Sequence, residues 1–345
     1  MDPQAKTDHP AFWGQLLMVG IPGSRMDEVA RSLVRDLKVG GVILFARNIE
    51  SPEQVWELTR DLQREALAAT GRPLLIAVDQ EGGRVQRLKE PFTISPPART
   101  LGTTKTPKDV ARLARHVARE LSLVGVNVNL APVLDVPRSP ACPQWHRAYS
   151  SDPERAARFA LAAIRGYLAG GVIPVAKHFP GLGDTMADSH QVLPVALSND
   201  AKREADLLPF RLAVAAGAPA IMTAHLLVPP WDSRPATLSA VALQDWLRRK
   251  LRFPGVIITD DLEMGAIAGQ LPVPQAAGEA LAAGADLLLI CNNWPAVRDT
   301  ARLLEKDAAL AARGRESAAR LAQLRRSLPL HGAGLAEVRD YFGAK

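Results

Sequence analysis

Between Lys177 and His190 the chain reads KHFPGLGDTMADSH, with two histidines, two aspartates, a lysine and three Gly/Pro positions, and with no amphipathic repeat. Such a segment does not build a core, and its residue types suit three kinds of chemistry. Metal ligation is the first, with His178, Asp188, His190 and His225 as possible donors. The first apolar run, LLMVGIPG, carries no H-x-H pair, and the chain has neither H-E-x-x-H nor paired cysteines. No metal site and no cofactor are expected. Phosphate cradling is the second, but PGLGD lacks the Walker lysine and its Ser/Thr neighbour. Proton transfer fits better. Asp188 and His190 are two residues apart, so in locally extended backbone their side chains share a face. A carboxylate on one imidazole nitrogen fixes the tautomer, and the other nitrogen can give and take a proton near neutral pH.

Other polar residues could join such a reaction. Asp260 and Asp261 close an apolar run, and adjacent strand residues face opposite ways, so one of the two is expected to point into a pocket as nucleophile or base. Asp79, Arg87 and Lys177 could hydrogen-bond a polyhydroxylated ligand, since planar carboxylate and guanidinium groups match vicinal hydroxyls.

Something must hold these residues together. Eight short apolar runs recur, at 15–20, 40–45, 73–79, 126–135, 172–178, 218–225, 255–261 and 285–292. Runs of this kind suit parallel strands buried on both faces. Helical patterns separate them, such as SPEQVWELTRDLQREALAAT with its serine cap and Gln54 three residues on, and DPERAARFALAAIRGYLAG ending in glycines. Eight βα units in this length predict an α/β fold, a single (β/α)8 TIM-type barrel. The rival is an open doubly wound sheet, but the first run ends VGIPGSR rather than in a dinucleotide fingerprint. Runs three to seven each end in polar residues (VDQEGGRVQR, NLAPVLD, AKHFPGLGD, MTAH, ITDDLEM), which places them together at the barrel mouth. The whole chain, 1–345, reads as one catalytic domain whose last part, about 296–345, is a helical segment.

Composition agrees with a soluble globular protein: 47% of the 345 residues are hydrophobic and 23% charged. Cys142 and Cys291 match no zinc or redox spacing and are expected as free thiols. The net charge of +6 comes largely from helical stretches such as LRRKLR at 247–252. No aromatic-basic interleaving accompanies it, so nucleic acid is not an expected partner. The start, MDPQAKTDHPAFWGQ, lacks the apolar core of a signal peptide. No apolar run approaches the ~20 residues of a membrane span. A cytoplasmic protein without a membrane partner is the expectation.

Taken together, DQEGGRVQRL, NVNLAPVLD, KHFPGLGDTMADSH, MTAHLLVPPWDSRPATLS and ITDDLEMGAI closely resemble glycoside hydrolase family 3, in its subgroup of bacterial exo-β-N-acetylglucosaminidases of peptidoglycan recycling. The resemblance runs from about Gly14 to Asn292. It implies Asp260 as catalytic nucleophile, His190 as acid/base and Asp188 as its orienting partner. It also implies Asp79, Arg87, Lys177 and His178 as substrate-binding residues, and Arg147 as another through RAYSSDP. The implied partner is a small carbohydrate, a GlcNAc-containing muropeptide such as a 1,6-anhydro-muramic acid species, handled by a monomer. Leu182 stands where the family pattern often has histidine, and PRSPACPQWHR before Ala148 departs from the usual approach to the arginine motif. A β-glycosidase of other sugar specificity, a non-catalytic sugar-binding barrel and, remotely, a metal-dependent amidohydrolase are the alternatives.

Overall fold

A computed structural model of the chain describes residues 10–196, 200–328 and 333–343. Most of the stretch read as lacking a signal peptide, residues 1–9, lies outside the described residues.

Eight short parallel strands form one sheet: β1 (Leu17–Gly20), β2 (Gly41–Leu44), β3 (Leu75–Val78), β4 (Val128–Asn129), β5 (Ile173–Phe179), β6 (Ala220–Thr223), β7 (Val256–Ile258) and β8 (Leu288–Ile290). Each coincides with one of the eight apolar runs, β5 reaching one residue past its run to Phe179. Their order is β8-β1-β2-β3-β4-β5-β6-β7, with Leu17 paired to Leu288 across β1 and β8. A parallel bridge between Ile258 and Leu287 joins the two ends, so the sheet curls into a nearly closed barrel with helices around it. Strand residues such as Met18, Val42, Ile76, Ile221 and Ile257 are buried, as a barrel packed inside and covered outside requires.

β4 is the shortest of the eight strands, and two asparagines interrupt its apolar run. The buried Asn127 and Asn129 carry the ladder with side-chain amides: Ile76 N–H donates to Asn127 Oδ1 at 2.7 Å and Gln80 N–H to Asn129 Oδ1 at 3.0 Å. Each amide nitrogen returns a bond to a neighbouring carbonyl, Leu74 at 2.9 Å and Gln80 at 3.0 Å. All four atoms are thereby satisfied in a place where an unpaired one would be costly.

Several helices start where a side chain accepts one of their first N–H groups. Ser51 Oγ takes the Gln54 N–H at the start of Pro52–Thr70, and Asp152 takes that of Arg155 at the start of Pro153–Ala169. Gln54 does not complete a box with Ser51; its Oε1 accepts from Glu50 N–H at 2.8 Å, one residue earlier. The last part is helical over Trp294–Lys306, Ala311–Arg325 and Leu335–Gly343. Ala311–Arg325 is tied to the barrel through Asp286, a fully buried carboxylate just before β8. It accepts from Arg248 at 2.5 Å, Ser317 Oγ at 3.1 Å, Arg320 at 3.1 Å, Ile257 N–H at 2.9 Å and Arg313. No helix among the described residues is long and apolar enough to cross a membrane.

Candidate active site

The polar residues that end the strands line one cavity of about 400 Å³. Its floor is built first by the chain leaving β3. Asp79 follows the last strand residue, and a two-strand hairpin, Gln80–Gly82 with Val85–Gln86, turns the backbone round. Gly82 and Gly83 have φ of 111° and 59°, values open to glycine. Gln80 Oε1 accepts the N–H groups of Arg87 at 2.9 Å and Leu88 at 3.1 Å. That fixes Arg87 with its guanidinium 3.4 Å from Asp79.

Lys177, near the end of β5, has a side chain only 3% exposed, so its charge needs partners. Nζ lies 2.8 Å from Asp79 and 2.7 Å from Glu81. Glu81 also accepts two bonds from Arg147, at 2.9 and 2.7 Å. Burial alone would raise the Glu81 carboxyl, but the two cations hold it far below the usual carboxylate range. Burial likewise works against the Lys177 ammonium, and Asp79 and Glu81 outweigh it, leaving the lysine more firmly protonated than usual. His178 is held from behind: its Nδ1 lies 2.7 Å from the fully buried Asp135. The carboxylate accepts a hydrogen bond from Nδ1–H and turns Nε2 toward the Arg147 guanidinium, 3.5 Å away.

Opposite, β7 delivers Asp260. Its N–H donates to Thr223 Oγ1 at 3.4 Å, and its Oδ1 accepts from Asp261 N–H at 2.9 Å. Burial acts to raise its carboxyl, but the imidazoles of His225 and His178, the Asp261 amide and Lys177 hold it below the ordinary value. His225 is fully buried between Thr237 Oγ1 and the Asp261 carbonyl, 2.8 Å from each. Burial lowers its basicity, against the pull of the Asp260 carboxylate. A carbonyl only accepts, so Nε2 carries the proton. Asp261 is different. Burial, with repulsion from Glu263 and Asp260, pushes it up to about 6. Both aspartates line the cavity, against the expectation that one would face away. They lie beyond the end of β7 at Ile258, where strand alternation no longer applies.

The loop after β5 brings the third component. His190 Nδ1 sits 2.8 Å from Asp188 Oδ1, which also accepts the His190 N–H at 3.0 Å. These bonds overcome burial and keep the Asp188 carboxyl below its usual value. The pair is open to solvent, the His190 side chain 68% exposed and that of Asp188 46%. The base of the loop is fixed. Leu182 N–H donates to Asp135 Oδ1 at 2.8 Å, and the Leu182 side chain joins Ala196, Ala224, Leu226 and Val228 in a small separate apolar cluster. Where the family pattern often carries histidine, this chain anchors its loop by apolar packing.

All eight residues to which the family resemblance gives a role line the cavity: Asp79, Arg87, Arg147, Lys177, His178, Asp188, His190 and Asp260. Sequence reasoning did not single out Glu81 or Asp135, and weighed His225 only as a metal ligand. Glu81 lies two residues beyond Asp79, the spacing that shares a face in extended chain, and Asp135 ends a polar-terminated run; both signals were readable. Among the described residues no group of three or more His, Cys, Asp or Glu side chains is placed to hold a metal ion. Cys142 and Cys291 are buried free thiols.

The strand ends of this barrel thus gather carboxylates, imidazoles and cations around one cavity, at the barrel face where enzymes of this fold keep their active sites. Residues 12–324 match the glycosyl hydrolase family 3 N-terminal domain, and the chain belongs to that family. A β-hexosaminidase of Pseudomonas aeruginosa is 43% identical over 285 residues, 80% of this chain and 82% of the relative. Among solved structures, a family 3 β-N-acetylglucosaminidase from Paenibacillus superposes with a TM-score of 0.90 at 34% identity, covering 96% of this chain and 68% of the other. The NagZ protein of Neisseria gonorrhoeae, in complex with N-trifluoroacetyl-D-glucosamine, superposes with a TM-score of 0.77 at 32% identity, covering 95% and 97%.

Proposed function

We propose that the chain is a retaining exo-β-N-acetylglucosaminidase that removes terminal β-linked GlcNAc from peptidoglycan fragments, including 1,6-anhydro-muramic acid species. One observation carries the reading. Asp260, held ionised, and the Asp188–His190 pair, on a separate loop, face one cavity whose floor is made of hydrogen-bonding ion pairs. A binding barrel needs neither group.

In this reading Asp79, Arg87, Lys177, His178 and Arg147 hold the terminal sugar. Their mutual ion pairs pre-orient the donors, so little side-chain entropy is lost on binding. The Asp260 carboxylate attacks the anomeric carbon as protonated His190 gives its Nε2 proton to the departing glycosidic oxygen, through an oxocarbenium-like transition state. Neutral His190 then takes a proton from water, whose oxygen displaces Asp260 from the sugar. Asp188 holds Nδ1–H throughout and stabilises the imidazolium. An imidazolium does here what a second carboxylic acid does in most retaining glycosidases.

The names of the relatives support a hexosamine as the sugar. The loop ending in Asp-Ser-His, with its likeness to the peptidoglycan-recycling subgroup, supports the cell-wall substrate and a cytoplasmic setting. Barrel and carboxy-terminal helices act as one catalytic domain. The test is hydrolysis of an aryl β-N-acetylglucosaminide against the matching aryl β-glucoside, with and without chelator. Turnover of the first alone, unaffected by chelator, is the expected result. Preference for the glucoside would move the assignment to another β-glycosidase, and loss with chelator would move it to metal-assisted hydrolysis.

A further inference from the structure

The loop bearing His190 is joined by hydrogen bonds to the loop that follows Asp260. Gly265 N–H donates to the His190 carbonyl at 3.1 Å, and Ala266 N–H to the Ser189 carbonyl at 3.2 Å. These two amides open the short helix Gly265–Ala268. First-turn amides have no partner within their own helix, and here the Ser189 and His190 carbonyls supply it. The donors are themselves tied back toward Asp260: Met264 N–H closes a turn on the Asp261 carbonyl at 3.0 Å, the same carbonyl that His225 holds.

The contact depends on residue 265 having no side chain. A Cβ there would lie 2.6 Å from the Gln191 carbonyl oxygen and 2.9 Å from that of His190. Both obstacles are backbone atoms, so no rotamer change relieves them and the loop itself would have to retreat. Retreat would carry His190 away from the cavity, while Asp260 keeps its own bonds to Thr223 and Asp261.

We infer that Gly265 is a positioning residue for the acid/base: its amide and its bare Cα set the distance between the His190 loop and the nucleophile loop. The inference rests on the roles proposed above for His190 and Asp260. It separates loop placement from nucleophile placement, and so makes a claim about leaving groups. A displaced acid harms substrates whose leaving group needs a proton and spares those whose leaving group does not.

Two substitutions test it. Gly265→Ala adds the Cβ and keeps the amide donor. Gly265→Pro removes the donor as well, at a first-turn position where proline is tolerated. Each is assayed with 2,4-dinitrophenyl, 4-nitrophenyl and alkyl β-N-acetylglucosaminides beside His190→Ala, after a melting curve establishes folding. On the alkyl glycoside we expect roughly ten- to hundred-fold loss for Gly265→Ala and more for Gly265→Pro. On the dinitrophenyl glycoside the loss is within about threefold, and added azide speeds turnover by intercepting the glycosyl-enzyme. Equal losses across all leaving groups, or none, would overturn the inference while leaving the acid role of His190 intact. If His190→Ala itself showed no leaving-group dependence, the acid/base assignment would fall, and this inference with it.

Discussion

His225 donates its Nε2–H to the backbone carbonyl of Asp261 at 2.8 Å, one residue past the carboxylate proposed to attack the sugar. On the other side, the Asp260 N–H reaches Thr223 Oγ1, and Thr223 and Thr237 are linked at 2.8 Å. The peptide carrying Asp260 is therefore bracketed by three buried side chains, His225, Thr223 and Thr237, none of which lines the cavity. Misplacing a reacting group by about 1 Å costs on the order of 10²-fold in rate. His225→Phe keeps the ring volume and removes the donor. It is expected to lower kcat by roughly that factor with KM little changed and the leaving-group dependence unaltered. A KM effect without a kcat effect would show that His225 serves the sugar pocket instead.

Glu81 gives a pH-dependent signature. Its carboxyl lies far below the ordinary 4.5 because Arg147 and Lys177 overcome its burial. A group lowered in the folded state contributes stability that is present above its unfolded value and lost as pH falls toward its folded one. Its side chain is 4% exposed, so removing its charge leaves two cations under-compensated, at about 3 kcal/mol. Glu81→Gln is therefore expected to unfold at lower urea than wild type at pH 7, with the gap narrowing below about pH 4.5. A gap that stays constant down to pH 3 would contradict the ion-pair account.

Asp286 tests whether the carboxy-terminal helices belong to the catalytic unit. Burial and the neighbouring arginines bring Arg248 down to about 10 even with Asp286 beside it. Asp286→Ala would strand three cations near the barrel wall and cost about 3–5 kcal/mol. Wild type is expected to melt in one transition, and the variant in one transition at lower temperature. Early loss of helix signal in either, with the barrel intact, would show the helices to be a separate unit.

His190→Ala and Asp188→Asn differ in what they remove. The first deletes the proposed proton donor, so hydrolysis of an alkyl glycoside should fall by roughly 10³-fold, and that of a dinitrophenyl glycoside far less. The second keeps the ring but exchanges the carboxylate at 2.8 Å for a neutral amide. It is expected to show the same leaving-group pattern at a smaller amplitude. Steady-state kinetics on the two substrates check both, and a larger loss for Asp188→Asn would reverse their assigned roles.

The barrel was legible because parallel strands buried on both faces leave continuous apolar runs, and each of the eight strands coincides with one, β5 overrunning its end by one residue. The cavity that gathers the candidate residues was legible because those runs end in polar residues a core cannot use. Strand alternation misled at Asp260 and Asp261, since the strand had already ended at Ile258. The supports were harder to read. Asp135 and Glu81 act from behind His178, Lys177 and Arg147, through contacts that span 43, 96 and 66 positions in sequence. Gly265 was legible only as part of the ITDDLEMGAI motif; that its missing Cβ admits another loop depends on tertiary approach, which local pattern does not encode.

The central claim is that Asp260 forms a covalent bond to the sugar. A 5-fluoro-N-acetylglucosaminyl fluoride, whose departing fluoride lets the first step outrun the second, should trap that species. Mass spectrometry of the digested protein should find one added fluorosugar, on the peptide carrying Asp260, with no label in Asp260→Ala. Label on another carboxylate, or none while the reagent is turned over, would contradict the account.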